Sequence, residues 1–197
     1  MLRRRPGPDS DLVDGARGLD KSPLSVSLPA VLINGTDREF RRLIHRMIIT
    51  EGRLVDVRKA IATQVGASAT QYTMLMAVLR LQGATGIAIG ALADYLEVTG
   101  PHVTDEINKL AAMGFVRKSM NPKDKRGVLV RLTADGRRRL LRTFDFIRNV
   151  NDILFDGVTT EEFRVLVRFN QKFMRNTNLA LEWIARKSDA ASRAAGK

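Results

Sequence analysis

The stretch from Leu92 to Leu132 leaves this chain the fewest folding options. Ala91–Glu97 reads as a two-turn helix with Leu92, Ala93 and Leu96 inward. A second helix opens at Thr99-Gly100-Pro101-His102, where proline suits a first turn that has no amide partners. Two β-prone runs follow, Arg117-Lys118-Ser119-Met120 and Val128-Leu129-Val130-Arg131-Leu132, around the loop Asn121-Pro122-Lys123-Asp124-Lys125-Arg126-Gly127. Ile87-Ala88-Ile89 can add one short strand. In the second helix Val103, Ile107 and Leu110 fit an inward stripe, which turns His102, Asp105 and Asn108 outward.

A helix slim enough for a major groove, with a charged finger beside it, is a device for reading duplex DNA. Charge points the same way. The 197 residues carry 33 basic and 21 acidic side chains, a net charge of +12. Such a balance selects polyanionic partners: nucleic acid, an acidic membrane surface or acidic small molecules. The excess is concentrated, because Arg117–Arg142 holds ten cations against Asp124 and Asp135, a local +8. Arg126 is suited to a narrowed minor groove, with Asp124 two residues back to hold its guanidinium in one direction.

Several chemistries drop out. Without cysteine there is no disulfide, thiolate zinc site or thiol redox sensor. His45 and His102, the two histidines, lie in different segments, so no metal site is expected within one subunit, and no cofactor. No nucleophile–base set or phosphate loop marks an enzyme, and no residue is assigned a catalytic role. The basic start Met1-Leu2-Arg3-Arg4-Arg5 runs into Pro6-Gly7-Pro8-Asp9 rather than an apolar stretch. A cytoplasmic protein without a membrane partner is expected.

Around the central unit (residues 83–132) the chain divides into four further segments. Residues 1–36 form a flexible arm, of which Leu28–Ile33 could dock. Residues 37–82 hold two helices. The first is capped by Thr36 or Asp37 and striped by Phe40, Leu43, Ile44, Met47, Ile48, Leu54, Val57 and Ile61. Glu51-Gly52 interrupts that stripe, so the helix either turns another face to solvent there or borders a cavity. The second opens on a capping box, Ser68-Ala69-Thr70-Gln71, carries Tyr72, Leu75, Met76 and Leu79, and stops near Gly83. Residues 133–187 read as one helix from Thr133 to Leu154 and another beginning at the capping box Thr159-Thr160-Glu161-Glu162. Residues 188–197 are small and polar, and are expected to fray. The central unit is too small to cover all the flanking apolar stripes. Packing Phe163, Leu166, Phe173, Leu181 and Trp183 against a second copy would bury them and set two readers side by side.

An ordered set of residues carries a family resemblance: Gln71-Tyr72 with Leu75, Leu92-Ala93, Val103-Thr104, Leu110, Gly114-Phe115-Val116-Arg117, Asp124-Lys125-Arg126, and Leu132-Thr133 with Gly136. From about residue 40 to 186 the chain resembles a MarR-family winged helix-turn-helix transcriptional regulator. The resemblance implies a mainly α fold with a small β-hairpin wing, its terminal helices forming a dimerisation body. It implies a homodimer that binds a pseudo-palindromic operator in double-stranded DNA. Such a protein acts as a repressor and is released by a small-molecule effector, an aromatic acid or its thioester. The DNA-binding residues would be Thr99, Pro101, His102, Thr104, Asp105, Asn108, Lys118, Lys123, Asp124, Lys125 and Arg126.

An effector site is expected where the first helix loses its stripe, near His45, Glu51 and Arg53, with Tyr72 and Met76 facing it; the alternative is that the last two are plain core. Two features depart from the family pattern. Asp105 stands after the Val-Thr pair where many relatives carry arginine, and the cysteine of the oxidant-sensing branch is missing. Asp105 either reads a cytosine amino group or pairs with Lys109. The competing function is a winged-helix protein-interaction module whose wing meets an acidic partner.

Overall fold

The computed structural model describes residues 22–122 and 124–195, without the side chains of 124–126, 194 and 195. The terminal arginines of the arm therefore lie outside the described residues. Two units divide the chain after Ala62.

The first unit holds Ser22–Thr36 and most of helix α1 (Arg38–Val65). Its N-terminal segment is not free. After a 3-10 turn at Pro29–Val31 the chain reverses through Asn34 and Gly35, both at positive φ. Asp37, 1% exposed, then accepts hydrogen bonds from the Ser25 amide (2.7 Å) and hydroxyl (2.6 Å), and Arg41 Nη2 lies 2.9 Å away. The helix passes through Gly52 without a break, but Leu43, Ile48 and Leu54 of its stripe stay exposed.

In the second unit, α2 (Ala69–Leu81) begins on the expected capping box: the Ser68 amide donates to Gln71 Oε1 (3.0 Å) and the Gln71 amide to Ser68 Oγ (3.1 Å). Such a cap contributes about 1 kcal/mol. Strand β1 (Ile87–Ala88), helix α3 (Ile89–Leu96), helix α4 (Gly100–Ala112) and strands β2 (Val116–Asn121) and β3 (Asp124–Leu132) follow. The sheet is antiparallel in the order β1-β3-β2, with Val116 opposite Leu132 and Ile87 opposite Val130. The ladder reaches Asn121 opposite Asp124 after a register shift at Met120, so the hairpin turn is tighter than the seven-residue loop expected from sequence. Leu75 and Val78 of α2, Leu92 of α3, Val103, Ile107 and Leu110 of α4, Phe115, Val130 and Leu140 are all fully buried and form one core.

Helix α5 (Ala134–Arg142) closes this unit. Thr133 caps it, accepting from the Gly136 amide (2.8 Å), while the Thr133 hydroxyl donates to the Gly114 carbonyl (2.6 Å) and its amide to Phe115 O (3.0 Å). The first turn of α5 thus lies directly on the chain between α4 and β2. A Cβ at Gly136 would fall 2.1 Å from Phe115 O and 2.7 Å from its Cα, which is why this helix position carries no side chain.

The single helix expected after the hairpin is two. Helix α6 (Phe144–Leu154) is offset from α5 at Thr143, whose amide and hydroxyl both turn back to the Leu140 carbonyl (3.2 and 2.7 Å) and tighten the last turn. Helix α7 (Thr160–Ala195) starts on the second capping box, with the Thr159 amide 2.8 Å from Glu162 Oε2. It also corrects an expectation, extending to Ala195 within the stretch assigned to fraying; Ala190, Ala191, Ala194 and Ala195 are strong helix formers. At 36 residues it is roughly 54 Å long, and among its described residues only Phe173 is even half-buried.

Two outcomes follow from this packing. Gly136→Ala should lower stability by at least ~1–3 kcal/mol, because the obstructing atoms are backbone; a urea midpoint equal to that of the parent would refute the contact. The Ser25 hydroxyl, then its amide, then Arg41 hold the Asp37 carboxyl below its usual range, against an opposing effect of burial. Its folded-state pKa is thus lower than its unfolded one, so the contribution is complete above the unfolded value and is lost as pH falls through the lowered value. Hydrogen exchange at the Ser25 amide, corrected for intrinsic rate, should lose protection over that acid range, whereas Asp37→Asn should show no such step; equal profiles would contradict the latch.

Candidate nucleic-acid interface

Helix α4 presents one face inward and one to solvent. Val103, Ile107 and Leu110 are 0% exposed, whereas Pro101, His102, Asp105 and Asn108 are exposed, as their spacing predicts. Thr99 stands at the N-cap without a side-chain cap bond. Thr104 is half-buried and its hydroxyl returns to the Gly100 carbonyl (2.9 Å), so it stiffens the first turn. The turn between α3 and α4 is closed by Glu97 in the left-handed region (φ 54°), with the Val98 amide bonded to Ala93 O.

Asp105 makes no salt bridge among the described residues. The partner suggested for it, Lys109, instead meets Glu106, with Nζ 2.6 Å from Oε1. Glu106 is the better-held partner because its side chain is only 12% exposed and also bonds Gln71 of α2. The Lys109 hydrogen bond lowers the Glu106 pKa against its partial burial, and Glu106 raises that of Lys109. Asp105 acts on Lys109 only through its charge, and its carboxylate accepts no hydrogen bond among the described residues.

One link was not foreseen. Lys118 Nζ on β2 donates to Asn108 Oδ1 at 2.6 Å, tying the outer face of α4 to the hairpin. A ten-residue separation across a helix–strand junction leaves no periodic signal in sequence. The side chains of Lys123, Asp124, Lys125 and Arg126 lie outside the described residues, so the expected Asp124–Arg126 pairing does too. At the other end of α4, Arg139 of α5 donates to Met113 O (3.1 Å) and stacks 3.8 Å over the Phe115 ring. Cap, glycine contact and cation–π stack together fix where the helix ends and the hairpin begins.

Of the residues expected at an effector site, His45, Glu51 and Arg53 are exposed on α1 in the first unit. Tyr72 is buried and Met76 half-buried on α2 in the second. The residues expected to join two copies are open: Phe163, Leu166, Leu181 and Trp183 are exposed, Trp183 by 57%, and Phe173 is half-covered by Phe169, stacked at 5.4 Å. No group of three or more metal-ligating side chains occurs among the described residues, and no helix there is long and apolar enough to cross a membrane.

Helices α3 and α4 with the β2–β3 hairpin make a winged helix-turn-helix, a class of DNA-reading unit. Residues 65–127 match the family model of the MarR family. The structure resembles a mutant form of MarR from Escherichia coli complexed with operator DNA, at 26% identity and TM-score 0.56 over 69% of this chain and 94% of that one. It also resembles the transcriptional regulator BldR from Sulfolobus solfataricus, at 24% identity and TM-score 0.57 over 70% and 96%. A MarR transcriptional regulator from Methanosarcina mazei Go1 matches at 21% and 0.55 over 72% and 99%. No curated protein matches the sequence. The winged-helix unit therefore carries a MarR-family match over residues 65–127, within a fold shared with these DNA-binding transcriptional regulators.

Proposed function

We propose that this chain is a cytoplasmic repressor that binds a pseudo-palindromic operator as a homodimer and leaves it when a small-molecule effector binds, with no catalytic step of its own. The observation that carries the reading is the exposed row Pro101, His102 and Asp105 on a helix fastened to a basic hairpin through Asn108 and Lys118. That arrangement offers base-reading groups and phosphate-neutralising cations on one surface. The E. coli relative named above was crystallised on operator DNA, which supports the same use of this surface.

In this reading Thr99, Pro101, His102, Thr104, Asp105 and Asn108 enter the major groove. Lys118 meets the backbone beside it, and Lys123, Asp124, Lys125 and Arg126 form the wing that follows into the minor groove. The open apolar face of α7, with Phe163, Leu166, Phe173, Leu181 and Trp183, is covered by the second copy. Symmetry then sets two half-sites about one helical turn apart. The effector would be an aromatic acid or its thioester.

Asp105 gives the reading its sharpest test. A carboxylate facing phosphates weakens binding unless it accepts a hydrogen bond there, and the cytosine amino group is the acceptor-seeking edge of the major groove. Selection from a randomised duplex pool should return an inverted repeat. With Asp105→Ala the preference at one base pair per half-site should relax by ~1–3 kcal/mol while the rest of the motif persists. If the variant binds selected and random duplex more tightly by the same factor, Asp105 only repels and does not read. If no sequence is enriched even by the parent protein, the operator reading fails.

A further inference from the structure

Away from the outer face of α4, the base of the hairpin carries a second basic feature. Arg117 on β2 and Arg131 on β3 are direct cross-strand partners. Facing pairs in an antiparallel ladder hold their Cβ atoms about 4.5–5.5 Å apart, and like charges there are destabilising. Arg137, in the first turns of α5, joins them around a concavity of about 560 Å³ that is also lined by Gln82, Leu132, Thr133 and Ala134. Three arginines and no acidic residue contribute to that lining. The nearest acid on α5, Asp135, is engaged by Arg138 at 2.8 Å.

Two of its members, Arg131 and Gln82, are fixed in place. Arg131 Nη1 donates to the Ala84 carbonyl, and its Cγ would lie 3.0 Å from a Cβ on Gly86, which sits at φ 114°. Glycine there lets the β1 turn close on the arginine stem. Gln82, 8% exposed, gives its Oε1 to the Leu132 amide (2.9 Å), so the side-chain nitrogen is held at the lining. That nitrogen, Arg117 and Arg137 have no hydrogen-bond partner among the described residues. The result is a set of donors without an acceptor, over a floor made by Leu132 and Ala134.

Stacked like charges persist where a doubly charged, multi-acceptor group can bridge them, and planar guanidiniums suit phosphoryl oxygens better than they suit a single carboxylate. We propose that Arg117, Arg131, Arg137 and Gln82 form a binding site for the phosphoryl group of a small organic phosphate, separate from the outer face of α4. The volume exceeds what inorganic phosphate fills, and the apolar floor suits a ligand with a carbon body. A phosphoryl group could also come from the DNA backbone, and the experiment separates the two sources.

The full chain is titrated calorimetrically with phenyl phosphate, inorganic pyrophosphate and benzoate, in the absence of DNA. Variants Arg117→Gln, Arg137→Gln and, as a control on α7, Lys172→Gln are compared, with thermal midpoints to confirm folding. Phenyl phosphate and pyrophosphate should bind saturably, benzoate more weakly, and each of the first two substitutions should weaken phosphate binding roughly tenfold or more. Lys172→Gln should change nothing. Equal affinity for benzoate, or binding indifferent to both substitutions, would overturn the site. So would the absence of phosphate binding together with a lowered salt slope for duplex DNA in both variants, which would assign the arginines to the DNA backbone.

Discussion

The missing side chain at Gly136 lets the first turn of α5 lie on the backbone of Phe115, and the DNA-reading unit is built outward from that contact. Phe115 is fully buried and lies in the short link between Ala112 at the end of α4 and Val116 at the start of β2, so the contact fixes both where the helix stops and where β2 starts. Thr133 adds the cap bond to Gly136 and the bonds to Gly114 and Phe115, and Arg139 covers the ring and the Met113 carbonyl. Three short elements that are marginal alone are thereby held as one rigid body. A helix positioned this way can present His102, Asp105 and Asn108 at reproducible places, which sequence-specific recognition requires.

The same segment concentrates charge, and the structure divides it by task. Lys118 is tied to Asn108 beside the outer face of α4. Arg139 is spent on packing, Arg138 on Asp135, and Arg117, Arg131 and Arg137 gather at the hairpin base. A count of +8 therefore overstates what faces any single polyanion. Glu106 shows the converse: it pairs with Lys109 and anchors to Gln71, which leaves the carboxylate of its neighbour Asp105 exposed and outside that ion pair.

Much of the fold was legible because it rests on local rules. Both capping boxes, the inward triplet Val103, Ile107 and Leu110, and the paired β-prone runs follow from spacing alone. What escaped depends on contacts across the chain. The break at Thr143 sits inside an unbroken apolar stripe, and only the return of its hydroxyl to Leu140 marks it. The Ser25–Asp37 latch joins residues twelve apart in a segment whose composition suggests no order. The turn of Lys109 towards Glu106 rather than Asp105 could not be read from sequence, since i,i+3 and i,i+4 partners are equally placed until a neighbour such as Gln71 holds one of them. Of the candidate site, the outward row on α4 was visible from period, while the Asn108–Lys118 tie and the arginine cluster needed the strand register.

The remaining element is α7, whose apolar residues cover far more of its circumference than the stripe a surface helix needs. Phe163, Leu166, Leu181, Trp183 and Ile184 stand open, each worth about 1.5–3 kcal/mol if fully buried. The proposed second copy is what would cover them and align two reading units. Sedimentation equilibrium on the full chain and on Leu181→Asp/Ile184→Asp tests this most directly. The account predicts a dimer at micromolar concentration for the parent, and for the variant a folded monomer that has lost operator binding. A monomeric parent that still binds an inverted repeat, or a variant that remains a dimer, would contradict it.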